Sequence, residues 1–151
     1  MKPAYERDRS LEDKFARVIK CVLGLQFFGR TEWADTREGT DFAIFSSTPV
    51  RVAVRLRRQK FYEKYPDDVT IRWSRPSGID TEADKINKGM VGYLFYGFID
   101  EREEKIISYR ILELQVPLPS PVAIRKNNPP DSELAVFKAS QFNTVKHWKK
   151  T

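Results

Sequence analysis

An α+β fold, with a mixed central β-sheet flanked by helices, is predicted from three observations. A helical apolar pattern opens the chain, strand-like alternation recurs through its middle, and a second, shorter helix signature interrupts the strands. With 151 residues and 40% hydrophobic content the chain is large enough to bury one core without disulfide staples. No internal repeat or low-complexity linker marks a boundary. A single domain over residues 1–151 is therefore expected, with a core over 10–116 and a looped C-terminal extension over 117–151.

Residues 1–9 are rich in charge and are expected to be loosely held. Ser10, Leu11, Glu12 and Asp13 then read as a capping box, with Ser10 as N-cap and Asp13 returning to it. Leu11, Phe15, Val18, Ile19, Val22 and Leu23 follow at helical spacing, Cys21 is placed on the buried side, and Gly24 is the expected stop. A short strand around residues 26–28 and an acid-rich loop should come next.

The stretch 39–58, G-T-D-F-A-I-F-S-S-T-P-V-R-V-A-V-R-L-R-R, is the centre of the pattern. Asp41 opens a first strand, residues 46–49 turn the chain, and a second strand returns. In that strand Val52, Val54 and Leu56 alternate with Arg51, Ala53, Arg55 and Arg57, so the aliphatic and arginine side chains take opposite faces. Burying three guanidinium groups would require a carboxylate partner for each, so the arginine face is expected to be open to solvent, to carboxylates or to phosphate.

Residues 69–74 alternate again, setting Ile71 and Trp73 opposite Thr70 and Arg72, and are expected to pair beside the arginine strand. Thr81 and Asp84 repeat the capping-box pattern ahead of a short helix ending at Lys88 and Gly89, with Lys85 near its negative end. Residues 90–100 and 106–116 read as a long hairpin around the charged turn E-R-E-E-K. Pro117, Pro119, Pro121, Pro129 and Pro130 predict a looped C-terminal third, with one last strand near 134–138 and an exposed, mobile basic tail.

Composition narrows the function. Lys and Arg number 27 against 21 Asp and Glu, and the net charge of +6 permits an anionic partner, nucleic acid first and an acidic membrane second. One cysteine and one histidine rule out a disulfide framework, a Cys-based zinc site and a His-rich metal site. No apolar signal core is present and no window approaches ~18 uninterrupted apolar residues, so a cytoplasmic protein with no membrane partner is expected. Arg51, Arg55 and Arg57, joined by Arg72 and then Arg75 and Lys85, form the strongest surface signal. They read either as a phosphate-tracking groove or as a solvated face laced with ion pairs to Glu32, Asp35 or Glu38. Trp33, Phe61, Tyr62 and Trp73 are interleaved with them, to stack on bases or to fill the core.

The order of helix, strand, hairpin with Asp at its start, further strand, helix and strand, with Glu12 in the first helix and G-T-D-F opening the hairpin, resembles the PD-(D/E)xK nuclease-like fold of restriction endonucleases and Holliday-junction resolvases. The resemblance covers residues 10–100 and implies a restriction endonuclease-like core, αβββαβ. It also implies a Mg²⁺-dependent endonuclease acting on DNA, with Glu12 and Asp41 on the metal and Arg55 and Arg57 beside Asp41 at the scissile phosphate. Where that family carries Glu-x-Lys, this strand reads V-A-V-R-L-R and offers no carboxylate. Arginine stabilises phosphoryl charge but stays protonated, so it is no general base. Asp35, Glu38 and Glu82 are the acids that could take the vacant role. Two alternatives stand beside the enzyme: a nuclease fold kept for binding nucleic acid or protein without chemistry, and an interaction protein that dimerises with itself through exposed strands.

Overall fold

The arginine-bearing strand lies inside the molecule, between two layers. The computed structural model describes residues 4–28, 42–44, 50–75, 78–126 and 132–151. Their order is α1 (Ala4–Phe28), β1 (Phe42–Ile44), β2 (Val50–Arg58), α2 (Gln59–Lys64), β3 (Asp68–Ser74), α3 (Glu82–Asn87), β4 (Tyr93–Ile99), β5 (Ile106–Glu113), β6 (Ala123–Lys126), β7 (Glu133–Lys138), a 3-10 turn at Ala139–Gln141, and β8 (Asn143–Lys149). The fold is α+β. Among the described residues, β1-β2-β4-β5-β8 form one sheet and β3-β7-β6 a second. The first sheet is mixed because β2 and β4 run parallel while its other pairs are antiparallel. A parallel pair needs a long crossover, and α2, β3 and α3 supply it.

Alternation along β2 decides what lies on each side. Val52, Val54 and Leu56 face α1, where Leu11, Phe15, Ile19 and Leu23 form a stripe at every fourth residue and pack with Phe95, Ile99 and Ile111. Gly97 of β4 sits opposite Leu56, and a Cβ there would lie 2.9 Å from Leu56 Cδ2 and 3.1 Å from a ring carbon of Phe95. Glycine is thus the residue that lets the leucine close over the strand. On the other face Ala53, Leu94, Tyr96, Phe98 and Leu112 join Val69, Ile71, Ala135 and Phe137 of the second sheet and Ala83 and Ile86 of α3. The layers are helix, mixed sheet, second sheet.

Several expectations need correction. α1 starts before Ser10 and passes through Gly24 to Phe28, so neither the first capping box nor the strand at 26–28 forms. A mid-helix glycine costs about 1 kcal/mol. Flanking contacts outweigh it, with Leu23 fully buried and the Phe27 ring 4.8 Å from that of Tyr93. Because the buried stripe is strictly i, i+4, Cys21 falls outside it and is exposed, as is Val18.

β3 does not pair with β2 but runs antiparallel to β7. The place beside β2 belongs to β4, whose uninterrupted Y-L-F-Y-G-F-I is buried on both faces, the pattern of a central strand next to a parallel neighbour. The C-terminal third is not a looped extension: β7 stands where the strand near 134–138 is expected, and β6 and β8 join it. The basic tail is strand β8, paired with β5, and Trp148 stacks on Tyr109, which stacks on Phe95. The hairpin of β4 and β5 and the capped short helix stand as expected.

Candidate functional site

The capping box of α3 is the first positioning device. Thr81 accepts from the Asp84 backbone N–H, and the Asp84 carboxylate accepts from the Thr81 N–H at 2.8 Å. That hydrogen bond holds the Asp84 carboxyl below the usual carboxylate range. With the helix start fixed, Glu82 in its first turn is aimed at β3 and β2. Its Oε1 accepts from the Arg72 backbone N–H at 3.1 Å and lies 3.5 Å from Arg55 Nη1.

Asp8, in the early turns of α1, closes the group from the other side. Its Oδ2 accepts from Arg55 Nη1 at 3.1 Å and from Arg72 Nη2 at 2.8 Å. Arg55 and Arg72 are 3% and 4% exposed, so at Arg55 the face meets carboxylates and is closed to solvent, while Arg51 and Arg57 stay half-buried. The partners, Asp8 and Glu82, lie 47 and 27 residues from Arg55 in the chain. Burial alone would lower the pKa of Arg55, but Asp8 and Glu82 outweigh it and the net direction is upward. For Arg72 burial wins, helped by the neighbouring positive charge of Arg55, and its pKa falls. Arg55 has two carboxylates at ion-pairing distance, whereas Arg72 has Asp8 and shares it with Arg55. The Nε atoms of Arg55 and Arg72 are buried without a hydrogen-bond partner.

Next to this group a cleft of about 310 Å³ opens between the two sheets. β2 contributes Arg55, Arg57 and Arg58, α2 contributes Lys60, Phe61 and Tyr65 just beyond its end, and β6 contributes Arg125 and Lys126. Its apolar wall includes Phe98, Leu134 and Val136. Tyr96 ties the sheets together there, accepting from the Thr70 N–H at 3.2 Å and sharing a hydrogen bond with the Thr70 hydroxyl at 3.0 Å. Two acids line the cleft, and both are engaged: Asp8 by the two arginines, Asp68 by Lys138.

Arg57 differs from Arg55 in having no carboxylate within ion-pairing distance among the described residues. Its guanidinium lies 3.9 Å from the centre of the Phe61 ring, a cation–π stack. Burial pushes its pKa down, and the positive charge of Arg55 adds to that. Arg125 sits 5.3 Å over the Tyr65 ring in the same manner. Arg58, at the rim, is paired with Glu103 at 3.0 Å. The arrangement suits an anion: charge is concentrated, half desolvated, held rigid by aromatic rings and only partly compensated.

Of the residues named from sequence, Arg55, Arg57 and Arg72 are brought together around this cleft, with Glu12 one turn beyond Asp8 and within electrostatic reach of Arg55. Glu82 joins them, whereas Asp41, Asp35, Glu38, Glu32 and Trp33 lie outside the described residues. Arg51 sits at the β1 end of β2, Arg75 just past β3 and Lys85 in the last turn of α3, all half-buried and none lining the cleft. Phe61, Tyr62 and Trp73 pack against the core, and Phe61 also lines the cleft.

Sequence reasoning missed Asp8, Lys60, Tyr65, Arg125 and Lys126. The i, i+4 relation of Asp8 to Glu12 was a usable signal for the first; the others become neighbours only through the second sheet. Among the described residues no group of three His, Cys, Asp or Glu is placed to hold a metal ion, and no helix is long and apolar enough to cross a membrane. The chain matches no protein-family model, no curated protein and no solved structure.

Proposed function

We propose that the protein binds nucleic acid through the cleft between its two sheets, as a binding module built on phosphate contacts. The observation that carries this reading is Arg57: a half-buried, stacked guanidinium without a carboxylate partner among the described residues, in a cleft that also holds Lys60, Arg125 and Lys126. Phosphate oxygens would meet a preformed fork, and each neutralised charge would release a counterion. The Arg57 guanidinium lies over the Phe61 ring and that of Arg125 over Tyr65, and the exposed Tyr65 ring adds a surface on which a base can stack. Among the described residues, the two acids that line the cleft, Asp8 and Asp68, are engaged by arginine and lysine.

Fluorescence anisotropy with a labelled DNA oligonucleotide tests the reading. Affinity should fall linearly in log–log form as salt rises, and the double variant Arg125→Ala/Lys126→Ala, altered at two exposed positions, should bind about tenfold more weakly with a salt slope reduced by roughly 1–2. Absence of binding at about 50 mM salt, or an unchanged slope in the variant, overturns it. Adding Mg²⁺ to the same samples, with Asp41→Asn as control, reads the cleavage activity that the nuclease resemblance implies.

A further inference from the structure

We infer that the nucleic acid taken by this cleft is unpaired, one nucleotide unit of a single strand entering between the sheets with its phosphate on Arg57. The inference rests on the nucleic-acid reading above and names the form of the ligand. Size is the first reason. A space of about 310 Å³ is at the small end of ligand pockets. A duplex carries its phosphates on a convex rim around grooves roughly 12 and 6 Å wide. Such a cylinder would touch the mouth of the cleft and leave its interior unfilled.

Position is the second reason. Of the cleft arginines with no carboxylate partner among the described residues, Arg57 is half-buried over Phe61, whereas Arg125 is exposed. At the rim, Arg58 already has Glu103. A ligand confined to the rim would meet the exposed Arg125 and Lys126 but not the half-buried Arg57, whereas a splayed nucleotide reaches both.

Stacking is the third reason. The half-exposed Tyr65 ring lines the cleft as a surface on which a base can stack, and only an unpaired base has its face and edge free to do so inside a narrow cleft. Every base has a π-face, so this part of the recognition is tolerant of sequence.

The test compares a labelled, non-self-complementary single strand with the blunt duplex it forms with its complement, by anisotropy on the full chain at fixed salt. The variants are Arg57→Ala and Tyr65→Ala, the latter at a position 41% exposed, and thermal unfolding checks that each folds. The single strand should bind at least about tenfold tighter than the duplex; Arg57→Ala should cost about tenfold, and Tyr65→Ala about fivefold, on the single strand alone. Equal or tighter binding of the duplex, or an equal loss on both ligands, overturns the inference and leaves nucleic-acid binding standing. If neither ligand binds, or a poly-glutamate peptide binds as tightly as the strand, both readings fall.

Discussion

Arg55 and Arg57 stand two residues apart on one face of β2, and the structure treats them oppositely. Arg55 is sealed among Asp8, Glu82 and Arg72, and its charge is compensated. Arg57 rests on an aromatic ring without such compensation. The lesson is that one strand pattern can serve stability and recognition at once, the division being set by which distant carboxylates reach each position. A buried charge that has its partners is expensive to disturb; one that lacks them is expensive to keep, which is a reason to look for what it awaits.

The largest effect should come from removing the carboxylate that makes the two arginines differ. Asp8→Ala leaves two buried guanidinium groups short of charge and should lower stability by about 3–5 kcal/mol in urea unfolding. A loss under ~1 kcal/mol would mean that Glu82 alone compensates Arg55 and that the contrast is shallower than the geometry indicates.

Gly97→Ala is next. It disturbs the sheet on the α1 face, opposite the arginines, by forcing Leu56 or Phe95 aside, at about 1–3 kcal/mol. Nucleic-acid affinity should be unchanged once folding is corrected for, since the cleft is on the other face of β2.

Thr81→Ala, which removes the cap that aims Glu82, should cost about 1 kcal/mol. Asp84 makes the same device sensitive to pH. Because its folded pKa lies below the unfolded one, its contribution is present above the ordinary Asp range and is lost as pH falls through the folded value. Melting temperatures of Asp84→Asn and the native chain should therefore differ at neutral pH and converge in acid.

Arg57→Ala should have the smallest effect on folding, within about 0.5 kcal/mol, because the lost stack on Phe61 is offset by relief of an unpaired charge. A loss as large as that of Asp8→Ala would show that Arg57 belongs to the structural group after all.

Local pattern made much of this legible and long-range pairing made the rest invisible. The period-2 alternation of β2, the Thr81–Asp84 capping box and the apolar run of β4 were readable because each is decided by neighbours in sequence. The burial of Arg55 was not, since Asp8 and Glu82 arrive from α1 and α3. The partner of β3 was likewise misread, because β4 competes for the edge of β2 and wins through its two-sided apolar character. The strand near 134–138 was readable and is β7, but the prolines hid β6 and the strand character of the basic tail by suggesting loops. Of the site, the arginines were found and their surroundings were not, for Lys60, Tyr65, Arg125 and Lys126 converge only when the two sheets meet.

The parallel alignment of β2 with β4 has a consequence for the order of assembly. As the chain is made from its N-terminus, β2 must wait for β4 to emerge before it gains its neighbour, and β3 must wait longer for β7. Until then the arginine strand lacks its cover. The nascent chain therefore carries a cationic, half-made sheet until β6 and β7 arrive to form the far wall of the cleft.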